Sequence, residues 1–264
     1  LFVVVMVVII FFPIYYMIST SLRTKVELGR REWSIIQQTF TLENFQKMFE
    51  LRQWRLGIIN SIIISLSNTV LCLIVALPAA YMFTRVNFKF DRHAFFWLLL
   101  QRMTPPGAFI VPCFMIYSAI GLYDTLPGVI IAHSVFNLPL AVWILHGFMK
   151  DIPTTVDESA FVDGHGMWGF WRKVFLPLML PGIGVTAFFL WMFSWTEVLL
   201  ASSVTRNTAF PVTVQLLVTT GTLYSGVAYG AATAAGVLSI IPGLAILYFV
   251  RHQIARGFML GGRV

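Results

Sequence analysis

Charge is what this sequence has least of. Of its 264 residues, 11 are Asp or Glu and 18 are Lys or Arg, so 11% are charged. A water-soluble domain carries about 25%, which excludes an ordinary soluble enzyme or binding module. The formal net charge of +7 gives no argument for nucleic acid. Cysteine is almost absent. Cys72 and Cys113 both lie in apolar runs and read as packed thiols, which leaves no disulfide framework and no cysteine-ligated metal site. A G-x-x-x-x-G-K-[ST] phosphate loop is missing, and no lysine directly follows a glycine, so this chain has no ATP-binding motif of its own. The opening run lacks the small-residue cleavage site of a signal peptide. It begins within an apolar stretch and not on Met, so further residues are expected before Leu1.

What is abundant is apolar surface. Hydrophobic residues make up 58% of the chain, and the mean hydropathy is +0.82. Runs of about 20 apolar residues, the length that crosses a bilayer, recur along it. The fold class is therefore an all-α polytopic membrane protein. Six spans are expected: Leu1–Leu22 with a kink at Pro13, Leu56–Thr84, His93–Ile120 broken at Pro105-Pro106-Gly107, Pro127–Met149, Leu178–Ser203 and Gly226–Val250. Between them lie a polar loop (Arg23–Arg55), a basic turn (Arg85–Arg92), a short loop (Gly121–Leu126), a loop at Val204–Ser225 that dips into the membrane, and a basic tail (Arg251–Val264). The Lys/Arg count is nine on the side of the basic turn and tail against eight on the other, with Arg102 in a span, so charge alone does not orient the chain.

The longest polar interruption in the C-terminal two thirds is Asp151–Pro181. Pro153 suits a first helical turn. Thr155 and Glu158 have the spacing of a capping box, with Thr155 as N-cap. A short helix is expected to continue through Val162 and to stop at Asp163-Gly164 and Gly166, because glycine accepts the left-handed conformation of a sharp stop. A second short helix is expected over Met167–Phe175, with Arg172 and Lys173 on its polar side. Pro177 and Pro181 mark re-entry into the membrane.

Polar residues inside spans are costly and need a purpose. Glu197, in the outer half of the fifth span, reads either as a helix-end carboxylate satisfied within the bundle or as a group lining a pathway. Arg102 precedes the double proline and is a candidate partner for it. Asn137-Leu138-Pro139 reads as a kinked helix whose freed carbonyls face a cavity. His133 and His146 flank that kink and read as packing residues. Gly226, Gly230, Ala231, Ala232, Ala235 and Gly236 are small residues spaced for close helix packing.

Glu158-Ser159-Ala160, two residues, Asp163-Gly164, eleven residues, Leu176-Pro177, three residues and Pro181 resemble the EAA loop of permease subunits of bacterial ABC importers. The departures are Ser159, His165 and Gly166. Thr41-Leu42-Glu43-Asn44-Phe45, Asn60-Ser61, Arg102-Met103, the stretch Phe136–Phe148, Glu197 and the ending Arg256-Gly257-Phe258…Gly261-Gly262 extend the resemblance to sugar and polyol permeases of the maltose-transporter type. Thr196 and Arg263 depart from that pattern.

The resemblance implies a type I ABC permease core at 56–250, preceded by a first helix and external loop at 1–55 and followed by a cytoplasmic tail at 251–264. Glu158, Ser159, Ala160, Asp163, Gly164, His165 and Gly166 are then the cytoplasmic coupling helix and elbow that meet the ATPase. Arg102, Asn137, Trp195 and Glu197 are then pathway candidates, with Trp143, Trp191 and Trp195 available for sugar stacking. The implied partners are a second homologous permease, an ABC ATPase dimer that binds ATP and Mg, an extracytoplasmic solute-binding protein, a carbohydrate and the bilayer of the bacterial inner membrane. No cofactor or catalysis is expected in this chain. The alternatives are an ABC permease for a non-sugar solute, a secondary transporter, and an intramembrane enzyme using Glu197 with His133 or His146, for which no metal or nucleophile motif is present.

Overall fold

The computed structural model describes residues 2–29, 36–221 and 226–260. Among the described residues all regular structure is helical: α1 (Phe2–Ser21), α2 (Lys25–Leu28), α3 (Glu43–Glu50), α4 (Arg52–Arg85), α5 (Asp91–Met103), a 3₁₀ turn (Pro106–Phe109), α6 (Ile110–Ala119), α7 (Leu126–Lys150), α8 (Thr154–Val162), α9 (Met167–Phe170), a π turn (Trp171–Phe175), α10 (Leu176–Thr196), α11 (Leu199–Val204), α12 (Val212–Gly221) and α13 (Gly226–Leu260).

Five stretches among them are long and apolar enough to cross a bilayer: Phe2–Ser21, Arg52–Arg85, Leu126–Lys150, Met167–Thr196 and Tyr229–Tyr248. The expected third span is not one helix. Thr104 and Pro105 are extended, with ψ of 132° and 126°, and the chain restarts as a 3₁₀ turn before α6. Proline removes a backbone donor and pushes the residue before it out of the α region, and two in succession break the helix outright. Pro13, Pro78, Pro139, Pro181 and Pro242 each sit alone, inside helices that continue.

Three further boundaries differ from the sequence reading. The fifth apolar run starts at Met167, because the π turn joins α9 to α10 without interruption. It ends at Thr196, where Glu197 turns extended at ψ 130°. Glu197 therefore occupies a break between helices. α13 continues past the expected end of the sixth span through Leu260. Gly261, Gly262, Arg263 and Val264 of the expected tail lie outside the described residues, as do Arg30, Arg31 and Glu32 of the first loop.

α4 and α7 share the most extensive contact, and α10 packs against both. The seam is built from small side chains: Ala76, Ala80 and Ala141 are fully buried, with Val142, Leu145, Met149 and Met179 filling around them. A Cβ on Gly182 of α10 would come 2.7 Å from the Phe148 ring of α7, so glycine sets that approach. The small-residue face of α13 is buried as expected at Ala231, Ala232 and Ala235, with α13 packed on α1, α3 and α10. The outer surface is apolar and bare, as on α1, where Phe2, Ile10 and Phe11 are exposed.

At the end of α7 that carries the 120–125 loop, one carboxylate organises two connections. Asp124 takes a left-handed φ of 56°. Its side chain accepts the backbone N–H groups of Arg206, Asn207, Thr208 and Ala209 at 3.0–3.1 Å. Burial raises the Asp124 carboxyl, but those four donors outweigh burial and hold it at about 2. Its contribution to stability is complete above the ordinary value of 3.8 and fades as pH falls through about 2. Asp124→Asn is expected to lower the melting temperature at pH 7 by about 2–4 °C, the shift that about 1 kcal/mol produces in a chain of this size. The gap should close as the pH is taken from 4 toward 2. Melting of the detergent-solubilised protein across that range checks both statements.

Candidate functional site

The segment singled out by its spacing folds as α8 at the end of α7 opposite Asp124. The capping box does not form. Pro153 is the N-cap, extended at ψ 142°, and α8 has no side-chain cap. Proline starts the helix two residues early and places Thr155 inside the first turn. The stop is built as expected around Gly164, whose φ is +81°. Gly164 N–H donates to Phe161 O and His165 N–H to Ala160 O, both at 3.1 Å, the two bonds of a Schellman ending. Gly166 has an ordinary φ of −70° and caps α9 instead of stopping α8.

α8 presents two different faces. Asp157 and Ala160 are buried, while Glu158, Ser159, Asp163, Gly164 and Gly166 are exposed and His165 is half-buried. Beside them stand bare apolar side chains: Val162 is 87% exposed and Trp168 81%. The buried face is held by an ion pair that the sequence did not reveal. Arg85 Nε, on the last residue of α4, lies 2.9 Å from Asp157 Oδ2, and both side chains are about nine-tenths buried. Arg85 Nη2 also donates to Ile152 O at 2.8 Å, and Tyr81 donates to Asp157 Oδ2 at 3.3 Å. Tyr81 stands edge-on to Phe175, with centroids 5.2 Å apart, and Phe161 packs on Phe170.

The second feature is a cavity of about 340 Å³ at mid-depth, lined by Arg102, His133, Asn137, Phe193, Thr196 and Glu197 among others. Asn137 lies near the centre of the 25-residue α7. Its amide donates to Asn68 Oδ1 of α4 at 2.7 Å, and Asn68 donates in turn to Ser134 Oγ at 2.8 Å. Glu197 reaches forward to accept the N–H groups of Leu200 and Ala201, each at 2.9 Å, at the start of α11. His133 Nε2 is 3.3 Å from Glu197 Oε2, close but not aligned as a hydrogen bond, while Nδ1 is 2.8 Å from Ser194 Oγ. Arg102 stacks its guanidinium on the Phe193 ring, 4.6 Å from the centroid, and donates to Phe136 O at 3.3 Å.

Three of the four pathway candidates, Arg102, Asn137 and Glu197, thus meet around one cavity. Trp195 does not join them. It stacks on Trp191 at 5.3 Å and donates from Nε1 to Ser239 O of α13. Phe193, Thr196 and Glu197 share the cavity face at i, i+3 and i+4 spacing, while Trp191 and Trp195 share another. Trp143 is exposed on the outer surface. Arg102 and Glu197 form no ion pair among the described residues; His133, buried and bonded through Nδ1 to Ser194, is the side chain beside Glu197. His146 packs against Phe95 with centroids 4.6 Å apart. Ser194, bonded to His133 Nδ1, is 3% exposed and is not among the residues that line the cavity.

Five helical stretches long and apolar enough to cross a bilayer, packed around a half-open cavity, are the build of a multi-pass membrane protein. The chain belongs to the family of binding-protein-dependent transport system inner membrane components, which matches residues 72–259. It is 31% identical to the trehalose transport system permease protein SugB of Mycobacterium tuberculosis over 94% of this chain and 90% of that protein. It is 28% identical to the sulfoquinovosyl glycerol transport system permease protein SmoH of Agrobacterium fabrum, over 95% of this chain and 88% of that one. A solved bacterial ABC transporter for the import of the acidic polysaccharide alginate shares the fold, with a TM-score of 0.79 at 20% identity, over 96% of this chain and 93% of that one.

The Arg85–Asp157 pair generates a prediction. Removing one partner strands a buried charge, so Arg85→Met alone is expected to cost about 3–5 kcal/mol. Arg85→Met with Asp157→Leu is expected to cost less than Arg85→Met alone. Chemical denaturation of the three proteins in detergent checks the order.

Proposed function

We propose that this chain is the permease subunit of an ATP-driven importer that takes up a carbohydrate delivered by an extracytoplasmic binding protein. The observation that carries this reading is the form of α8. Its sequence has the spacing of the coupling loop, its buried side is pinned to the bundle, and its other side is bare, with apolar groups around a rigid elbow. Such a surface suits a protein partner. The names of the similar permeases, for trehalose, sulfoquinovosyl glycerol and diacetylchitobiose, support a carbohydrate as cargo.

In this reading the α5–α6 unit makes the sixth crossing in two pieces. α8, the 86–90 turn and the end of α13 then face the cytoplasm, and the Asp124 knot faces outward. The permease core is 56–250, with 1–55 before it and 251–264 as a tail at the ATPase. A second permease completes the pathway, in a bacterial plasma membrane. ATP and Mg are bound by a separate ATPase dimer seated against Glu158, Ser159, Asp163, Gly164 and their neighbours. Closure of that dimer moves α8, and the equilibrium shifts because ATP binds one arrangement better than the other. Catalysis lies outside this chain. The pathway runs through the cavity of Arg102, Asn137 and Glu197.

Gly164→Pro tests the reading. Proline fixes φ near −65° and lacks the N–H that Gly164 gives to Phe161 O, so the elbow cannot form. The variant is expected to insert in the membrane but to lose about tenfold or more of its ATP-driven carbohydrate uptake, a change of about 1.4 kcal/mol or more in coupling. Uptake in proteoliposomes containing the assembled transporter measures this. Wild-type uptake by the variant, or uptake that persists with an inactive ATPase, would overturn the role of α8.

A further inference from the structure

We propose that this chain itself holds the cargo, in a sugar subsite anchored by Arg102; the proposal rests on the carbohydrate-transport reading above. The first argument is charge. Among the described residues Glu197 is the one acid lining the cavity, and its oxygens are already engaged by two backbone N–H groups and faced by His133. Among the described residues no carboxylate forms an ion pair with Arg102. A half-buried guanidinium within the helix bundle is thus left, among the described residues, with a ring beside it and one carbonyl at its edge. Such a group is costly unless its remaining donors find acceptors.

The second argument is shape. The Phe193 ring 4.6 Å away and the bond to Phe136 O hold the guanidinium in place, and its planar array of N–H groups makes a pre-set fork. That fork fits two neighbouring oxygens: adjacent ring hydroxyls, or the carboxylate of an acidic sugar. The third is the remaining lining. Asn137 and Thr196 add hydrogen-bonding groups, and Phe136 and Phe193 add apolar surface. His133 is 2% exposed, and its Nε2 has no aligned partner. A volume of about 340 Å³ lies at the small end of the range of about 300–1,000 Å³ for small-molecule sites. It suits one ring of a longer sugar, the rest facing the second permease.

The experiment uses the assembled transporter with its ATPase and binding protein in proteoliposomes. It measures radiolabelled solute taken up per ATP hydrolysed, for trehalose, diacetylchitobiose, a diuronic acid disaccharide and a set of amino acids. Arg102→Gln is expected to lower this ratio about tenfold for the transported sugar, as loss of a charge-assisted contact predicts. Arg102→Lys keeps the charge without the fork. It should retain transport of a diuronate and lose that of a neutral disaccharide, which tells carboxylate from hydroxyl recognition. Phe193→Leu, which removes the stacking plane and leaves every charge, should lower the ratio in the same direction. An unchanged ratio in both Arg102→Gln and Phe193→Leu would overturn the subsite while leaving the transport reading intact. Loss of uptake that only follows loss of assembly with the second permease would also overturn it, since Arg102 would then be an interface charge. A wild-type transporter that moves amino acids and no carbohydrate would overturn the underlying reading.

Discussion

Inside a bilayer a polar group has no water to turn to, so each one must find a partner within the protein or face a cavity. Most of what is specific in this structure follows from that constraint. Asn60 donates to Thr208 O and Phe210 O, and Ser61 accepts the N–H of Val212. Asn68 is joined to Asn137 and Ser134. Thr69, Thr84 and Thr186 turn back onto carbonyls four residues earlier in their own helices. These satisfied groups hold the bundle together. Two places stand apart from this network, the cavity and the surface of α8.

Those two places differ in kind. At α8 the charges are split by face: Asp157 is buried against Arg85, while Glu158 and Asp163 point away from the bundle. A buried pair of this sort adds little net stability and much orientation, since either partner alone is strongly unfavourable. It fixes which side of α8 is presented. In the cavity the opposite holds. Glu197 is tied down by its neighbours, and among the described residues Arg102 makes one hydrogen bond, to Phe136 O. One site presents an exposed surface on a pinned helix; the other presents polar side chains to a cavity.

The sequence carried the first site more clearly than the second, for physical reasons. The elbow is local: a left-handed φ at Gly164 and the two bonds it permits depend on residues within five positions, so spacing was enough to find it. The capping box failed because Pro153, next to Thr154, begins the helix before Thr155 can act as N-cap. Two prolines at 105 and 106 predicted a break, but not that α5 and α6 would become separate helices. Arg85–Asp157 and His133–Glu197 join residues more than sixty positions apart, and no local pattern marks such contacts. Residue type marks Trp195 as a candidate but does not say which face of α10 it lies on. Its helical position, shared with Trp191 and not with Glu197, would have turned it toward α13.

The same long-range bonds limit how the molecule can move. α4 is a single helix of 34 residues. It is bonded near one end to the 208–212 segment through Asn60 and Ser61, at mid-depth to α7 through Asn68, and at its other end to α8 through Tyr81 and Arg85. Sliding α4 past α7 would strand the Asn68–Asn137 pair away from water, at about 1–3 kcal/mol for each buried group left without a partner. Bending at isolated prolines such as Pro78 and Pro139 breaks fewer of these bonds, because the donor is already missing there. α4 and α7 are therefore built to tilt together. Through Asn68–Asn137 and Arg85–Asp157, α7 and α8 are both tied to the one helix α4.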